Sequence, residues 1–306
     1  MSDPRTEPIR APLRAVAAVN AKLFLTKALV WVTCLCPFRR WFLDMTGSFL
    51  LLPLLIRERR ELHRVRAFSR QIGVPGPNAL YMLRHFIQKG RDLVWAAVYP
   101  EIPDLLGRYV TLEGADELAA LAASRGGAIV LGVHCGPNSA ALLLERRGVP
   151  LRWLISPEAM ETVACKVRWG ARWLVTRKAL FFADPSRSAL SSRGERQLVE
   201  QLRNGGTILM LADAAAPPPH GTEVRFLGTG YRISLFPFRA AIKYRVPIFY
   251  LACEKPDRGG YRYTLTRAGT ATTPEDAAQA CMEYFDAVIR RQPYLCRMPG
   301  NYVPWA

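Results

Sequence analysis

The order of apolar runs, glycine breaks and amphipathic stretches predicts an α/β fold: a mostly parallel sheet flanked by helices, behind an N-terminal apolar helical segment. Three observations carry this prediction. Gly126 to Leu144 reads GGAIVLGVHCGPNSAALLL, where the β-branched run Ala128 to Val133 lies between breakers, as a strand covered on both faces does. LRNGGTILMLAD repeats the arrangement, with Gly205-Gly206 before Thr207 to Ala212 as Gly126-Gly127 stands before Ala128. Around these two segments, short apolar runs alternate with helical periodicity, the pattern of strand–helix–strand units.

Residues 1 to 12 are polar and proline-bearing and read as a loose N-terminus, without the compact basic, apolar and cleavage-site sequence of a secretory signal. Leu23 to Ile56 is apolar and aromatic, but Lys27, Pro37, Arg39, Arg40 and Asp44 interrupt it, so no run reaches the ~20 residues that cross a bilayer. Two shorter pieces, Ala28 to Phe38 and Met45 to Ile56, suit helices lying in one leaflet, with Trp31 and Trp41 at headgroup depth; core helices are the alternative. Arg57 to Arg70 then sets six arginines against two glutamates. A solvated helix face is the usual fate of such a run, but its place beside the apolar segment favours an anionic lipid surface. The breaker cluster GVPGPN, Gly73 to Asn78, divides the chain into an N-terminal membrane-associating segment, 1–72, and an α/β domain, 73–306.

In the second part the expected order is a helix over Ala79 to Lys89, a helical stretch at Leu93 to Val98, and a strand near Tyr109 to Leu112. A helix from Ala115 to Ser124 leads to the strand at Ala128, then a helix to Arg146 with Asn138 as its N-cap. A strand near Trp153 to Ile155, a helix from Glu158 to Trp169, a strand near Trp173 to Thr176 and a helix from Glu195 to Arg203 precede the strand at Thr207. After the rigid loop AAAPPPHG, Arg225 to Arg245 threads five basic residues through Phe226, Tyr231, Phe236, Phe238 and Tyr244, with no acid. Strands near Pro247 to Cys253 and Tyr261 to Thr266 and an amphipathic helix from Pro274 to Arg291 complete the domain.

Charge and motifs narrow the chemistry. The 42 Lys and Arg against 25 Asp and Glu give +17, which favours anionic partners. Nucleic acid would rest on charge and aromatics alone, and the apolar N-terminal segment argues against it. Seven scattered cysteines, with no CxxC pair or histidine at metal-ligand spacing, read as reduced thiols and give no metal site. No GxGxxG, Walker loop, GxSxG elbow or HExxH is present, and no cofactor is expected. His134 and Asp213 stand at the carboxyl ends of apolar strands, where open α/β sheets bind ligands, although a lone histidine there is often only a hydrogen-bonded structural residue. Cys135 is next to His134, but alternation sends neighbours in an extended chain to opposite sides.

Taken together, LEGADELAALAASRGGAIVLGVHCGPNSAALLL, LRNGGTILMLAD and VRFLGTGYRISLFPFRAAIKYRVPIFYLA resemble, in order, the lipid A biosynthesis (lauroyl/myristoyl) acyltransferase family of the lysophospholipid acyltransferase superfamily. The resemblance covers about residues 50 to 297. It places His134 at the histidine of an H-x4-E/D motif, likens Asp213 to a later strand-end aspartate and matches Phe226-Leu227-Gly228 to an F-x-G step; Ile289 to Leu295 is also similar. It implies acyl transfer from an acyl carrier protein or acyl-CoA to a hydroxyl or amine of a lipid, glycolipid or related metabolite. The place implied is the cytoplasmic face of the inner membrane, on anionic lipid. His134 would be the general base. The sequence departs from the motif at Ser139, which stands where the family has its acid; a hydroxyl can orient an imidazole but cannot neutralise an imidazolium. Three readings follow: another carboxylate substitutes, Asp213 first; the histidine works alone on an easier acceptor; or the domain is catalytically silent and binds a lipid or carrier protein. Catalysis is therefore assigned to His134 and Asp213. Substrate binding is assigned to Asn138, Ser139, Arg168 and Arg232, the two arginines as contacts for phosphate or phosphopantetheine, with surface charge as their alternative. The C-terminal tail also lacks the basic-aromatic run common in the family after its proline-rich step.

Overall fold

The computed structural model describes residues 13–57, 59–137, 140–155, 157–169, 175, 184, 188–190, 195–216, 221–256 and 260–303. Four helices come first: α1 (Leu13–Leu35), α2 (Arg39–Phe49), α3 (Leu51–Arg57) and α4 (Arg59–Gln71). α1 is a single helix of 23 residues, longer than the piece expected from Ala28. Its Ala17–Leu35 stretch is long and apolar enough to cross a membrane, with a mean hydropathy of 1.4. Lys27, which interrupts the apolar run in sequence, donates to Glu101 Oε2 at 2.7 Å, so its charge is neutralised against the body of the protein.

α5 (Asn78–Val98) is also continuous, where the sequence suggested two helical stretches. Gly90 lies at the expected break, and it is there for packing. A Cβ at Gly90 would overlap the Gly47 carbonyl oxygen, and one at Gly47 would overlap the Arg91 backbone, so the two glycines let α2 and α5 cross in backbone contact. Around this crossing Leu43, Trp95 and Tyr99 are fully buried.

After α6 (Pro103–Tyr109) the chain alternates through β1 (Val110–Glu113), α7 (Asp116–Ala123), β2 (Ala128–Gly132), α8 (Ala140–Arg146), β3 (Leu151–Ile155), α9 (Pro157–Trp169), β4 (Ser188–Leu190), α10 (Glu195–Arg203) and β5 (Thr207–Leu211). A hairpin, β6 (Thr222–Phe226) and β7 (Thr229–Ile233), precedes α11 (Phe236–Tyr244), β8 (Ile248–Glu254), β9 (Tyr261–Arg267) and α12 (Pro274–Arg291). Two 3-10 turns, Pro293–Leu295 and Pro299–Tyr302, end the described chain. The sheet has seven strands in the order β1-β9-β8-β2-β5-β3-β4, and every neighbouring pair is parallel except β8 with β9. The predicted α/β class with a mostly parallel sheet is therefore the observed one. The strand expected near Trp173 falls outside the described residues apart from Val175, which is in no strand. β4, α6 and the β6–β7 hairpin have no counterpart in the sequence reading.

β2 explains why its sequence is apolar throughout. Ile129, Leu131 and Val133 enter the core on one face of the sheet, and Ala128 and Val130 enter the core on the other. β5 and β8 alternate in the same way, with Ile208 and Met210 against Leu209, and Ile248 and Tyr250 against Phe249 and Leu251. Strands covered on both faces must be apolar at every position, so the period-2 signal of a half-exposed strand disappears.

Two ionisable groups on α5 are buried without full hydrogen bonding. His85 lies between the rings of Tyr81 and Phe86, and neither ring nitrogen has a hydrogen-bond partner among the described residues. Burial, with Lys89 nearby, lowers its pKa from 6.5 to about 3. Among the described residues Asp92 accepts from Gln88 and Tyr261 through Oδ1 only, and burial raises its pKa from 3.8 to about 6, against the pull of Tyr261, Arg297, Gln88 and Lys255. The two groups tilt stability in opposite directions. An unfolded chain protonates His85 well before the folded one does, so stability falls as pH drops from 6.5 towards 3. For Asp92 the folded chain holds its proton longer, so stability falls as pH rises from 3.8 to about 6. Between those values the slopes oppose each other. His85→Phe should expose the Asp92 contribution, with urea unfolding showing a loss of about 3 kcal/mol between about pH 4 and 6. Asp92→Asn should show the reverse slope, and flat profiles in both variants would refute this assignment.

Candidate active site

The parallel pairing of β2 with β5 brings His134 and Asp213 together at the carboxyl edge of the sheet. Each residue follows directly from its strand: Gly132 is paired with Leu211, and two positions further on stand His134 and Asp213. Asp213 is 1% exposed, and its carboxylate is satisfied by three donors. The His134 backbone N–H reaches Oδ2 at 2.8 Å, and His134 Nδ1 lies 3.0 Å from Oδ1. The Tyr302 hydroxyl donates to Oδ2 as well. A carboxylate accepting at Nδ1 fixes the tautomer that carries its proton there and leaves the Nε2 lone pair free to act as a base. The imidazole is partly open, at 21% exposure, while its carboxylate partner is sealed.

Two tyrosines also hold the aspartate. Tyr231 on β7 donates to the Asp213 backbone carbonyl at 2.9 Å, and the rings of Tyr231, Phe226 and Tyr302 pack edge to face or tilted on one another. Burial and the Asp213 charge push both tyrosine hydroxyls to higher pKa, so they remain donors. α4 supports this cluster, because Phe68 packs on Tyr302 and Gln71 Nε2 donates to the carbonyls of Tyr302 and Leu227. The helix read from sequence as a basic face thus buries Val65, Phe68 and Ser69 and leaves Arg66 and Arg70 outside.

The β6–β7 turn consists of Leu227 and Gly228, with φ of 51° and 86°. Positive φ at both positions is the two-residue hairpin geometry that matches strand twist, and the glycine adopts it without strain. This is what the Phe226-Leu227-Gly228 step builds: a hairpin that delivers Tyr231 to Asp213.

The other site residues read from sequence are placed as follows. Asn138 and Ser139 lie outside the described residues. Arg168 is exposed in the last turn of α9, a helix that packs against α1. Arg232 alternates with Tyr231 on β7, so its side chain leaves the hairpin on the face opposite the one that meets Asp213. Cys135 is buried, and its side-chain hydrogen bond with Cys296 together with burial pushes its thiol well up, which removes it as a nucleophile. All seven cysteines are free thiols. Among the described residues, no group of three His, Cys, Asp or Glu could hold a metal ion. Tyr302 and Tyr231 were not found by sequence reasoning, and no local pattern marks Tyr302, which lies 89 residues from Asp213.

No curated protein matches the chain. Residues 82–295 match the family described as bacterial lipid A biosynthesis acyltransferase, a stretch that runs from α5 through β2, β5 and the hairpin to the first 3-10 turn. The match covers well over half of the 306 residues and contains both His134 and Asp213. The chain belongs to the bacterial lipid A biosynthesis acyltransferase family.

Proposed function

We propose that the protein moves an acyl group from an acyl carrier protein or acyl-CoA thioester to a hydroxyl, or an amine, of a lipid or glycolipid at the cytoplasmic face of the inner membrane. The observation that carries this reading is the His134–Asp213 pair, in which a buried carboxylate orients a partly open imidazole. His134 Nε2 takes the proton of the acceptor hydroxyl as its oxygen attacks the thioester carbon, and Asp213 stabilises the imidazolium that forms. The proton then passes to the leaving thiolate. The carboxylate that the sequence lacks at Ser139 is in this reading supplied by Asp213 from the neighbouring strand. Asn138 and Ser139, next along the chain from the histidine, are proposed substrate contacts, and Arg168 and Arg232 peripheral contacts for anionic groups. The +17 charge suits both an acidic carrier protein and an anionic leaflet. The test is transfer from acyl carrier protein and acyl-CoA thioesters to lipid acceptors in detergent or vesicles. His134→Ala should lower turnover by at least about 10²–10⁴-fold, and turnover equal to the wild type would refute the mechanism.

A further inference from the structure

The chain beyond α12 returns across the turn that carries His134. Cys135 and Cys296 form an antiparallel bridge, closed by the Gly136 N–H on the Leu295 carbonyl at 3.0 Å and by the Arg297 N–H on the His134 carbonyl at 2.8 Å. This register sets Arg297 opposite His134. Residues opposite each other in an antiparallel pair project to the same face, with Cβ atoms about 4.5–5.5 Å apart, and neighbours along each chain project to the other face. His134 and Arg297 are both half-buried at this crossing, next to Cys135 and Cys296, which are 5% and 1% exposed. The Arg297 side chain therefore starts beside the imidazole that Asp213 orients. Among the described residues it makes no side-chain hydrogen bond or ion pair, and its charge acts on Asp92, whose Oδ2 has no donor among them. A half-buried guanidinium without a carboxylate on it lacks the anion that its desolvation calls for.

We infer that Arg297 is a catalytic residue that meets the thioester oxygen as it becomes an oxyanion. The inference rests on the acyl-transfer reading above. In the step, the acceptor oxygen forms a bond to the carbonyl carbon, its proton goes to His134 Nε2, and the carbonyl π electrons move onto the oxygen. Collapse re-forms the carbonyl, breaks the carbon–sulfur bond and delivers the proton from His134 to the thiolate. At the tetrahedral stage the charges alternate: Asp213 negative, His134 positive, the oxyanion negative and Arg297 positive. Without an oxyanion between them, Arg297 would only oppose formation of the imidazolium. The residue lies two positions past the stretch that matches the family.

Steady-state kinetics with two donors of the same acyl length, acyl-CoA and the phosphate-free N-acetylcysteamine thioester, separate an oxyanion contact from a phosphate contact. Arg297→Ala and Arg297→Gln should lower kcat/KM by about 10²–10³-fold with both donors, and Arg297→Lys should regain part of the loss. The backbone N–H that closes the bridge is untouched in each variant, and Arg297→Gln keeps the stem while removing the charge, so it reads the charge even where alanine loosens the turn. Wild-type rates in both neutral variants would overturn the inference. A loss confined to acyl-CoA would do so too, since Arg297 would then hold a donor phosphate. Absence of transfer by the wild type with either donor would instead refute the acyl-transfer reading itself, so the two failures are distinguishable.

Discussion

Asp213→Asn is expected to lower acyl transfer by about 10⁴-fold while the protein stays folded. Three donors converge on this side chain: the His134 N–H and the Tyr302 hydroxyl on Oδ2, and His134 Nδ1 on Oδ1. An asparagine can keep its carbonyl oxygen where Oδ2 was, so the backbone and tyrosine donors remain satisfied. Its amide then faces His134 Nδ1 as a donor. The imidazole must answer as an acceptor there, which moves its proton to Nε2 and removes the lone pair that would take the substrate proton. The serine-protease triad is the worked precedent, where the same exchange costs about 10⁴ in kcat through the wrong tautomer. Turnover of a thioester donor, with thermal unfolding as the folding control, decides the matter. A loss below tenfold would mean that Asp213 only anchors the histidine, and that the neutral residue at Ser139 marks a different mechanism.

Much of this site could be anticipated, and the parts that could not share a physical reason. β2 and β5 were legible because strands buried on both faces are apolar at every position and are bounded by glycines. His134 and Asp213 could be placed at strand ends for the same reason. That β2 and β5 are neighbours is a property of strand order, a non-local choice that no window of sequence records. Tyr302 reaches Asp213 across 89 residues, and Arg297 reaches His134 only through the return of the tail, so neither leaves a periodic trace. The hairpin was missed because its turn is Leu-Gly, with leucine at φ 51°, where an Asn-Gly pair would have announced it. Two helical stretches were expected on either side of residues 90–92, whereas the missing side chain of Gly90 admits the Gly47 backbone and the helix runs through. Lys27 read as an interruption because its neutralising partner, Glu101, stands 74 residues away.

The apolar surface left by the N-terminal helices supports the second large expected effect. Phe24, Leu25, Trp31, Val32 and Leu35 are between 40% and 68% exposed on α1, and at 100° per residue they fall on one stripe. Leu23 and Thr33 are buried on the opposite side, where α1 packs against α5 and α9. Phe38, Trp41, Phe49 and Ile56 continue the exposed apolar series through α2 and α3. An exposed apolar stripe on a helix whose other face is held by the protein suits insertion into one leaflet, and the exposed Arg66 and Arg70 of α4 add attraction to anionic lipid. Deleting the first 56 residues would not isolate this effect, because Leu43 and Gly47 of α2 are built into the core. Substitution on the stripe does. Burying each large apolar side chain contributes about 1.5–3 kcal/mol, so Leu25→Gln, Trp31→Gln and Leu35→Gln together should weaken vesicle partition by more than about 10³-fold. Because all three side chains already face outward, the unfolding midpoint in detergent-free buffer should not fall. Flotation with neutral and anionic vesicles over a salt series reads the result: the wild type should stay bound in high salt, and the triple variant should retain only weak, salt-sensitive binding to the anionic vesicles. Wild-type flotation by the triple variant would show that the stripe is not the membrane contact.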